Sequence, residues 1–437
     1  FREALRFWLK LGFISFGGPA GQIAVMHREL VERRRWISDA RFLHALNYCL
    51  ILPGPEATQL AVYIGWLMHG TLGGVLAGTL FVLPGALLLT ALSWAYMVFG
   101  NVPLVAGILY GFKAAVVALI LVAIVRIGKR AIRTAALAVI AFIAFAVTWG
   151  FAFPFPAFLL AVGLTGWLLE RWRPGWVAAP LPAHVAVGGQ SGPEHRACII
   201  DDHTPTPDHA RVDAGKLLIK ALVFAALLGL PLLGLIFYRG YDDVFSRMGR
   251  SFLLAAFITV GGAYAVLPYV TEFSTRVYGW LDRGQMMDGL ALGETTPGPL
   301  ILVLTFVGFV GGWNKEHERL GVWGGLFGAL IATYFTFVPS FMFILMGGPW
   351  VEHSRGELRL NAILTAITAA IVGVIAQMAI VFGQHVLFPV GSRQLDFIAL
   401  ALTVAAFLAL QWRTLDVVLV VLGCGALGVL LRSVLSS

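Results

Sequence analysis

Residues 51–66 read ILPGPEATQLAVYIGW, and residues 295–310, 244 positions further on, read TTPGPLILVLTFVGFV. Each is a Pro-Gly-Pro break set inside an apolar run. The same ungapped offset lays Phe13-Ile14-Ser15-Phe16-Gly17-Gly18 on Phe257-Ile258-Thr259-Val260-Gly261-Gly262 and Trp36 on Trp280. Further along, an offset of 255 pairs Pro84 with Pro339 and AAVVALI from Ala114 with AAIVGVI from Ala369. One Pro-Gly-Pro match is chance, but three motifs held in one register mark an internal duplication.

The surroundings of these motifs set the class. Of 437 residues, 59% are hydrophobic and 12% charged, against roughly 25% charged in a soluble domain. Apolar runs long enough to cross a bilayer recur along the whole chain, with room for about a dozen at roughly 20 residues each. The expected fold is an all-α polytopic membrane protein, and a soluble enzyme, a nucleic-acid-binding domain and a disulfide scaffold are excluded. The 50 glycines suit close helix approach in a membrane. The net charge of +8 resides mostly in loops, where basic residues set orientation. Cys49, Cys198 and Cys424 follow no metal or disulfide spacing. The first apolar run continues into a charged loop and further spans, so no cleavable signal peptide is expected. The start at Phe1 rather than Met points to a natural N-terminus that lies outside the sequence.

Four parts are expected: an N-terminal repeat over 1–170, a polar flexible linker over 171–214, a connecting transmembrane helix over 215–240, and a C-terminal repeat over 247–437. Each repeat holds six apolar segments. With one extra segment between them the parity is odd, so the second repeat enters from the opposite face as an inverted copy. Two topologies stay open for segments 4–27 and 42–68. If each crosses, the basic loop with Arg28, Arg33, Arg34, Arg35 and Arg41 lies opposite the one with Arg126, Lys129, Arg130 and Arg133. If both are re-entrant hairpins, these loops and the linker share one face, which the positive-inside rule makes cytoplasmic. Against the second, Arg239, Arg247 and Arg250 then face outward.

Broken helices inside a membrane are tolerated only where buried or lining a wet cavity, and paired breaks in two repeats point to a transport site. Pro55 and Pro299 suit the first turn of a half-helix. Each helix N-terminus carries roughly +0.5 charge, so four converging ends balance a dianion, and backbone N–H groups suit a tetrahedral oxyanion. The candidate ligands are Gly17, Gly18, Gly54, Gly261, Gly262 and Gly298 in the breaks, with Ser15, Thr58, Gln59, Thr259, Thr295 and Thr296 beside them. The competing reading is that these hydroxyls only satisfy broken backbone and the prolines are kinks. Lys113, midway along an apolar segment, is either a cation for the anion, a partner for a carboxylate, or a snorkelling side chain. Glu56 and Glu294 flank the two Pro-Gly-Pro motifs. Near an anion a carboxylate must be protonated, as burial favours, which is what proton coupling needs; the alternative for Glu56 is a first-turn acid favoured by the helix dipole. Glu294, Asp288 and His44 are weaker candidates for that role than Glu56. The linker's His195, Cys198, Asp201, Asp202, His203 and His209 match no zinc spacing.

In combination GFISFGGPAGQIAVMHRELV, LPGPEATQLAVYIGW, GFKAAVVALI, FITVGGAYAVLPYV and TTPGPLILVLTFVGF resemble the chromate ion transporter family in its long, two-domain form. The resemblance implies homologous halves of opposite orientation in a prokaryotic cytoplasmic (inner) membrane, and export of chromate driven by the proton motive force, conferring resistance, with sulfate as a look-alike. The family's signature positions fall on Phe16, Gly17, Gly18, Pro19 and Gln22, on Pro53 to Glu56, Thr58 and Gln59, and on Gly261, Gly262 and Thr296 to Pro299. Ala263 stands where the first half has Pro19. The expected partners are chromate or a sulfate-like oxyanion and membrane lipids, with a homodimer allowed; no nucleic acid, cofactor or metal is expected. An oxyanion channel or a sulfate-type transporter on the same scaffold is the alternative. A membrane-bound reductase is disfavoured for want of a dinucleotide fingerprint, a haem-attachment motif or a cysteine pair, and an ATP-driven pump for want of a P-loop.

Overall fold

The computed structural model describes residues 1–16, 18–100, 102–150, 155–173, 175–177, 198–200, 213–259, 263–353, 361–388, 394–412 and 415–435. Most of the linker lies outside these, as do Gly17, Gly261 and Gly262. The described residues form helices: α1 (Arg2–Ile14), α2 (Gly18–His27), α3 (Asp39–Ile51), α4 (Glu56–Phe99), α5 (Pro103–Ala131), α6 (Ala135–Gly150) and α7 (Phe155–Trp172), then α8 (Ala214–Arg239). The second half follows as α9 (Val244–Ile258), α10 (Ala263–Thr271), α11 (Arg283–Thr295), α12 (Val303–Leu320), α13 (Val322–His353), α14 (Asn361–Leu387), α15 (Phe397–Trp412) and α16 (Val417–Leu435). This is a multi-pass all-α membrane protein.

The duplication extends to element boundaries. Shifted by 244, α3 falls on α11 end to end, and the π-helical turn Arg28–Arg33 falls on the π-helical turn Glu272–Val277. Both α3 and α11 start from an oxygen-bearing cap, as orphan N–H groups demand: Ser38 accepts from the Arg41 N–H and Asp282 from that of Gln285. Buried Trp36 and Trp280 close the preceding loops by donating to the carbonyls of Leu30 and Ser274.

The broken segments turn back on themselves. Helix α1 has 13 residues, about 20 Å of rise, too short for a hydrocarbon core of about 30 Å. After the break at Ser15 the chain returns, so that Arg34 reaches Glu3 at 2.5 Å and lies over the rings of Phe7 and Trp36. The second half repeats the hairpin with other chemistry, Arg247 lying 5.5 Å over the Tyr278 ring. Helix α3, the Pro-Gly-Pro loop and the first stretch of α4 make a second hairpin. It ends at His69 and Gly70, whose non-helical backbone (Gly70 φ 66°) folds α4 in two, and His69 packs on Phe1. Segments 42–68 and 71–99 are thus two arms of one folded element. In the second half Gly321, φ 58°, separates α12 from α13 in the same way.

Small residues allow the close crossings that membrane packing needs. Gly308 and Gly312 of α12 lie against Gly328 and Gly324 of α13, and Gly65 against Gly73 within α4. Gly74 and Gly78 of α4 face Leu345 and Phe341 of α13, so these two equivalent helices run antiparallel. The last helices are exchanged between halves: α5 packs on α15 and α16, and α14 on α6 and α7. Helix α8 lies outside this core, antiparallel to α13: Lys220 donates to the Leu345 carbonyl and Tyr334 to that of Leu227. Its Leu218, Leu222, Leu230 and Leu233 are exposed. Five helices among the described residues (α4, α5, α8, and most of α13 and α14) are long and apolar enough to cross a membrane, fewer than the dozen or so spans expected, because the broken segments divide into shorter pieces. One described piece of the linker is tied down, with Ser38 donating to the Ile200 carbonyl at 2.9 Å.

Candidate functional site

The four breaks meet in two pairs, each joining one half to the other. The Gly54 N–H donates to the Thr259 carbonyl at 2.7 Å, and the Gly298 N–H donates to the Ser15 carbonyl at 2.9 Å. Under the 244 offset Gly54 is Gly298 and Ser15 is Thr259, so the contact is reciprocal, as across a two-fold axis. Both glycines have left-handed backbone, φ 119° and φ 102°, where a side chain is strained. A Cβ on Gly54 would also meet Ser340 and Gln59, and one on Gly298 would meet Leu302.

Each junction holds the N-termini of two half-helices, about +0.5 each, together with the C-termini of the two helices that end there, about −0.5 each, so the ends do not add up to the +2 expected of four N-termini at one point. The Gly54 and Gly298 amides, expected to be free, are engaged across the halves. Several hydroxyls are engaged too. Ser15 donates to the Leu11 carbonyl at 2.6 Å, Thr259 to Ala255 at 2.5 Å, Thr295 to Leu292 and Thr296 to Gly293, both at 3.0 Å. These four satisfy helix-end carbonyls.

A different group of polar atoms is buried without a hydrogen-bond partner among the described residues. It comprises Glu56 Oε2, Thr58 Oγ1, Gln59 Oε1, Ser340 Oγ and Thr336 Oγ1, with Gln22 Oε1 at the other junction. Buried polar groups are normally paired, so these atoms mark where water or a ligand completes the bonding, and Ser340 and Gln59 lie together beside Gly54. Gln59 donates to the Pro53 carbonyl at 2.6 Å, bracing the loop, and Gln22 donates to the Gly298 carbonyl at 2.5 Å. The Thr58 and Ser340 hydroxyls each offer a donor. Gly18 has φ 71° and, among the described residues, open space beside it. Ser340 and Thr336 escaped sequence reading because they lie far from the breaks, on α13; what could have found Ser340 is the 255 offset, which makes it the counterpart of Gly85, itself packed on the Pro297 carbonyl.

The two flanking carboxylates have different surroundings. Glu56 is 8% exposed at the start of α4. Glu294 is buried on α11 and accepts from the Tyr264 hydroxyl at 2.5 Å, with Arg126 near enough to act on both electrostatically. Lys113 stands apart from both junctions, beside the first turns of α11, with its ammonium 3.4 Å from Asp288. Tyr96 donates to the same carboxylate at 3.0 Å. Of the readings open for Lys113, the structure displays the carboxylate partner. His44 is the positional counterpart of Asp288. Among the described residues no group of three His, Cys, Asp or Glu is placed to hold a metal ion.

Comparison with known proteins bears on the family of the chain. The family model described as Chromate transporter matches residues 2–167 and 246–429. A chromate transport protein of Pseudomonas aeruginosa is 34% identical over 96% of this chain and 90% of its own length. One of Cupriavidus metallidurans is 27% identical over 98% and 92%, and a probable chromate transport protein of Synechococcus elongatus is 27% identical over 91% and 88%. No solved structure matches the chain.

Proposed function

The chain belongs to the chromate transporter family, and from that premise we propose that it is a secondary active transporter, not an enzyme. It exports chromate, or a sulfate-like tetrahedral oxyanion, across a prokaryotic cytoplasmic membrane, driven by the proton motive force, and so confers chromate resistance. The observation that carries the reading is the reciprocal pairing of the broken helices, Gly54 on Thr259 and Gly298 on Ser15. Such a pairing joins two halves at points that break and re-form when one rocks against the other, as alternating access requires. The halves lie inverted in the membrane, repeat 1–170 against repeat 247–437, with 215–240 as the connecting helix. The loops with Arg28 to Arg41 and Lys129 to Arg133 then share the cytoplasmic face.

The oxyanion sits at the Pro-Gly-Pro junctions. Thr58, together with Ser340, donates hydroxyls; Gly18, Gly261 and Gly262, with Gly17, supply backbone, and Gly54 and Gly298 supply theirs when their bonds across the halves open. Ser15, Gln22, Gln59, Thr259, Thr295 and Thr296 hold the broken ends in shape. Glu56 carries the coupling proton: as a carboxylate it repels the anion, and as a neutral acid it adds a donor. Glu294, held by Tyr264, serves the same role in the second half. Neither acid needs a cofactor or metal for this.

The test is chromate uptake into proteoliposomes of the purified full chain, with and without an imposed pH gradient and with sulfate as competitor. Gradient-driven accumulation above equilibrium is the expected result. Dissipation of a chromate gradient without accumulation would replace the reading by an oxyanion channel, and gradient-driven sulfate without chromate by a sulfate-type transporter.

A further inference from the structure

We propose that the vestibule around Lys113 is a second oxyanion subsite, in which a tetrahedral dianion takes the Lys113 ammonium from Asp288. The proposal rests on the transport reading above and adds a station to the path. The vestibule is a cavity of about 350 Å³ between the end of α4, the start of α5 and the first turns of α11. Twelve residues of α11 separate Gly284, beside Lys113, from Thr296 at the junction, about 18 Å of helix. The two sites are therefore distinct.

Three observations point to a ligand here. Lys113 and Asp288 both line the cavity, and of the two the lysine is the more open, its side chain 29% exposed against 3% for Asp288. Their contact of 3.4 Å is longer than the roughly 2.7–2.9 Å of a tight charge-assisted bond, which leaves the ammonium open to a competitor. Asp288 Oδ1 is buried with no hydrogen-bond partner among the described residues, so the carboxylate is held by Tyr96 and Lys113 on its other oxygen alone. A dianion offers twice the charge of Asp288 and several oxygens to the same ammonium. The other titratable neighbours of Lys113 are Asp282, the cap of α11, and His385 on α14, both close to Gly284; Tyr110 is engaged with Asp396 at 2.8 Å.

The pair also joins the halves, Lys113 on α5 to Asp288 on α11. Under the repeat offsets its counterparts are Thr368 and His44, which reproduce no such lysine–carboxylate contact. The subsite therefore belongs to one mouth of the pathway, where the anion's arrival unfastens one half from the other.

The experiment measures radiolabelled sulfate binding to the purified full chain carrying Thr58→Val and Ser340→Ala, which weaken the junction site. On that background Asp288→Asn keeps the shape and the Tyr96 contact but frees the ammonium, and is expected to bind sulfate at least threefold tighter. Lys113→Gln is expected to weaken binding about tenfold, as loss of a charged donor does, and Lys113→Arg to stay within about threefold of the parent. The double variant Lys113→Gln/Asp288→Asn should match Lys113→Gln. Independently of any variant, sulfate should slow labelling of Lys113 by an amine-reactive reagent, read by mass spectrometry on the wild-type chain. Unchanged or weaker binding in a folded Asp288→Asn protein overturns the subsite, as does labelling of Lys113 indifferent to sulfate. Chromate uptake by the wild type combined with either of those results would discard the vestibule and leave the transport reading standing.

Discussion

The two Pro-Gly-Pro loops share a backbone and differ in chemistry. Gly54 and Gly298 have the same left-handed conformation and make the same bond to the other half. Yet the residues that follow Pro55 are Glu56, Thr58 and Gln59, while the positions equivalent to them after Pro299 are Leu300, Leu302 and Val303. On the approach to the loops the polarity reverses: α11 ends in Glu294, Thr295 and Thr296, where α3 and its cap have Leu50, Ile51 and Leu52. Backbone geometry is what both halves need to break and re-pair. Buried side-chain polarity costs free energy wherever it is unmatched, so it is kept on one copy at a time, and under the proposed function those copies are the ones that meet the anion or the proton.

If the backbone is the shared element, both loops must be equally intolerant of a side chain. Gly54→Leu and Gly298→Leu should each lower chromate uptake by at least about tenfold with protein still present in the membrane, since a non-glycine residue in this region costs about 1–3 kcal/mol before any clash. Uptake surviving in one variant and not the other would break the equivalence. The chemistry should separate the loops next. Glu56→Gln is expected to make transport indifferent to the pH gradient, and Leu300→Met to leave the dependence as it was; gradient dependence in the Glu56 variant would move coupling elsewhere, to Glu294 first.

Smaller effects sharpen the same contrast. Thr58→Val and Ser340→Ala should each raise the apparent KM for chromate about 2–10-fold, the value of one hydrogen bond of about 0.5–1.5 kcal/mol. Thr296→Val should change it by less than about twofold, because its hydroxyl already bonds the Gly293 carbonyl. Equal shifts at Thr58 and Thr296 would erase the distinction. In transport the least affected is Gln22→Val, which installs the residue found at the equivalent Val266 and acts on stability instead. It removes the bond to the Gly298 carbonyl, and a loss of about 1–3 kcal/mol should appear as a lowered melting temperature. An unchanged melting temperature would make Gln22 available for the anion instead.

Much of this could be read from the chain alone. The membrane class, the duplication and the position of every break follow from local composition and from identities held in register, because apolar length and proline or glycine in a helix act on their immediate neighbours. The structure adds that helices in the 244 register share their boundaries, α3 with α11 and the two π-helical turns with each other. What the sequence left open was whether segments 4–27 and 42–68 cross or turn back, since a break reads alike in either case.

The tertiary structure decided the turning back, through Arg34 on Glu3 and His69 on Phe1. It decided that four helix ends meet as two pairs, that Lys113 lies with Asp288 away from both, and that Ser340 joins Glu56, Thr58 and Gln59 as a buried atom in need of a partner. These are contacts between residues far apart in sequence, 31 positions for Arg34 and Glu3 and more for the others. A hydrogen bond or ion pair is set by distances of about 3 Å, and no periodicity or composition of a single segment carries information about which distant segment is brought that close.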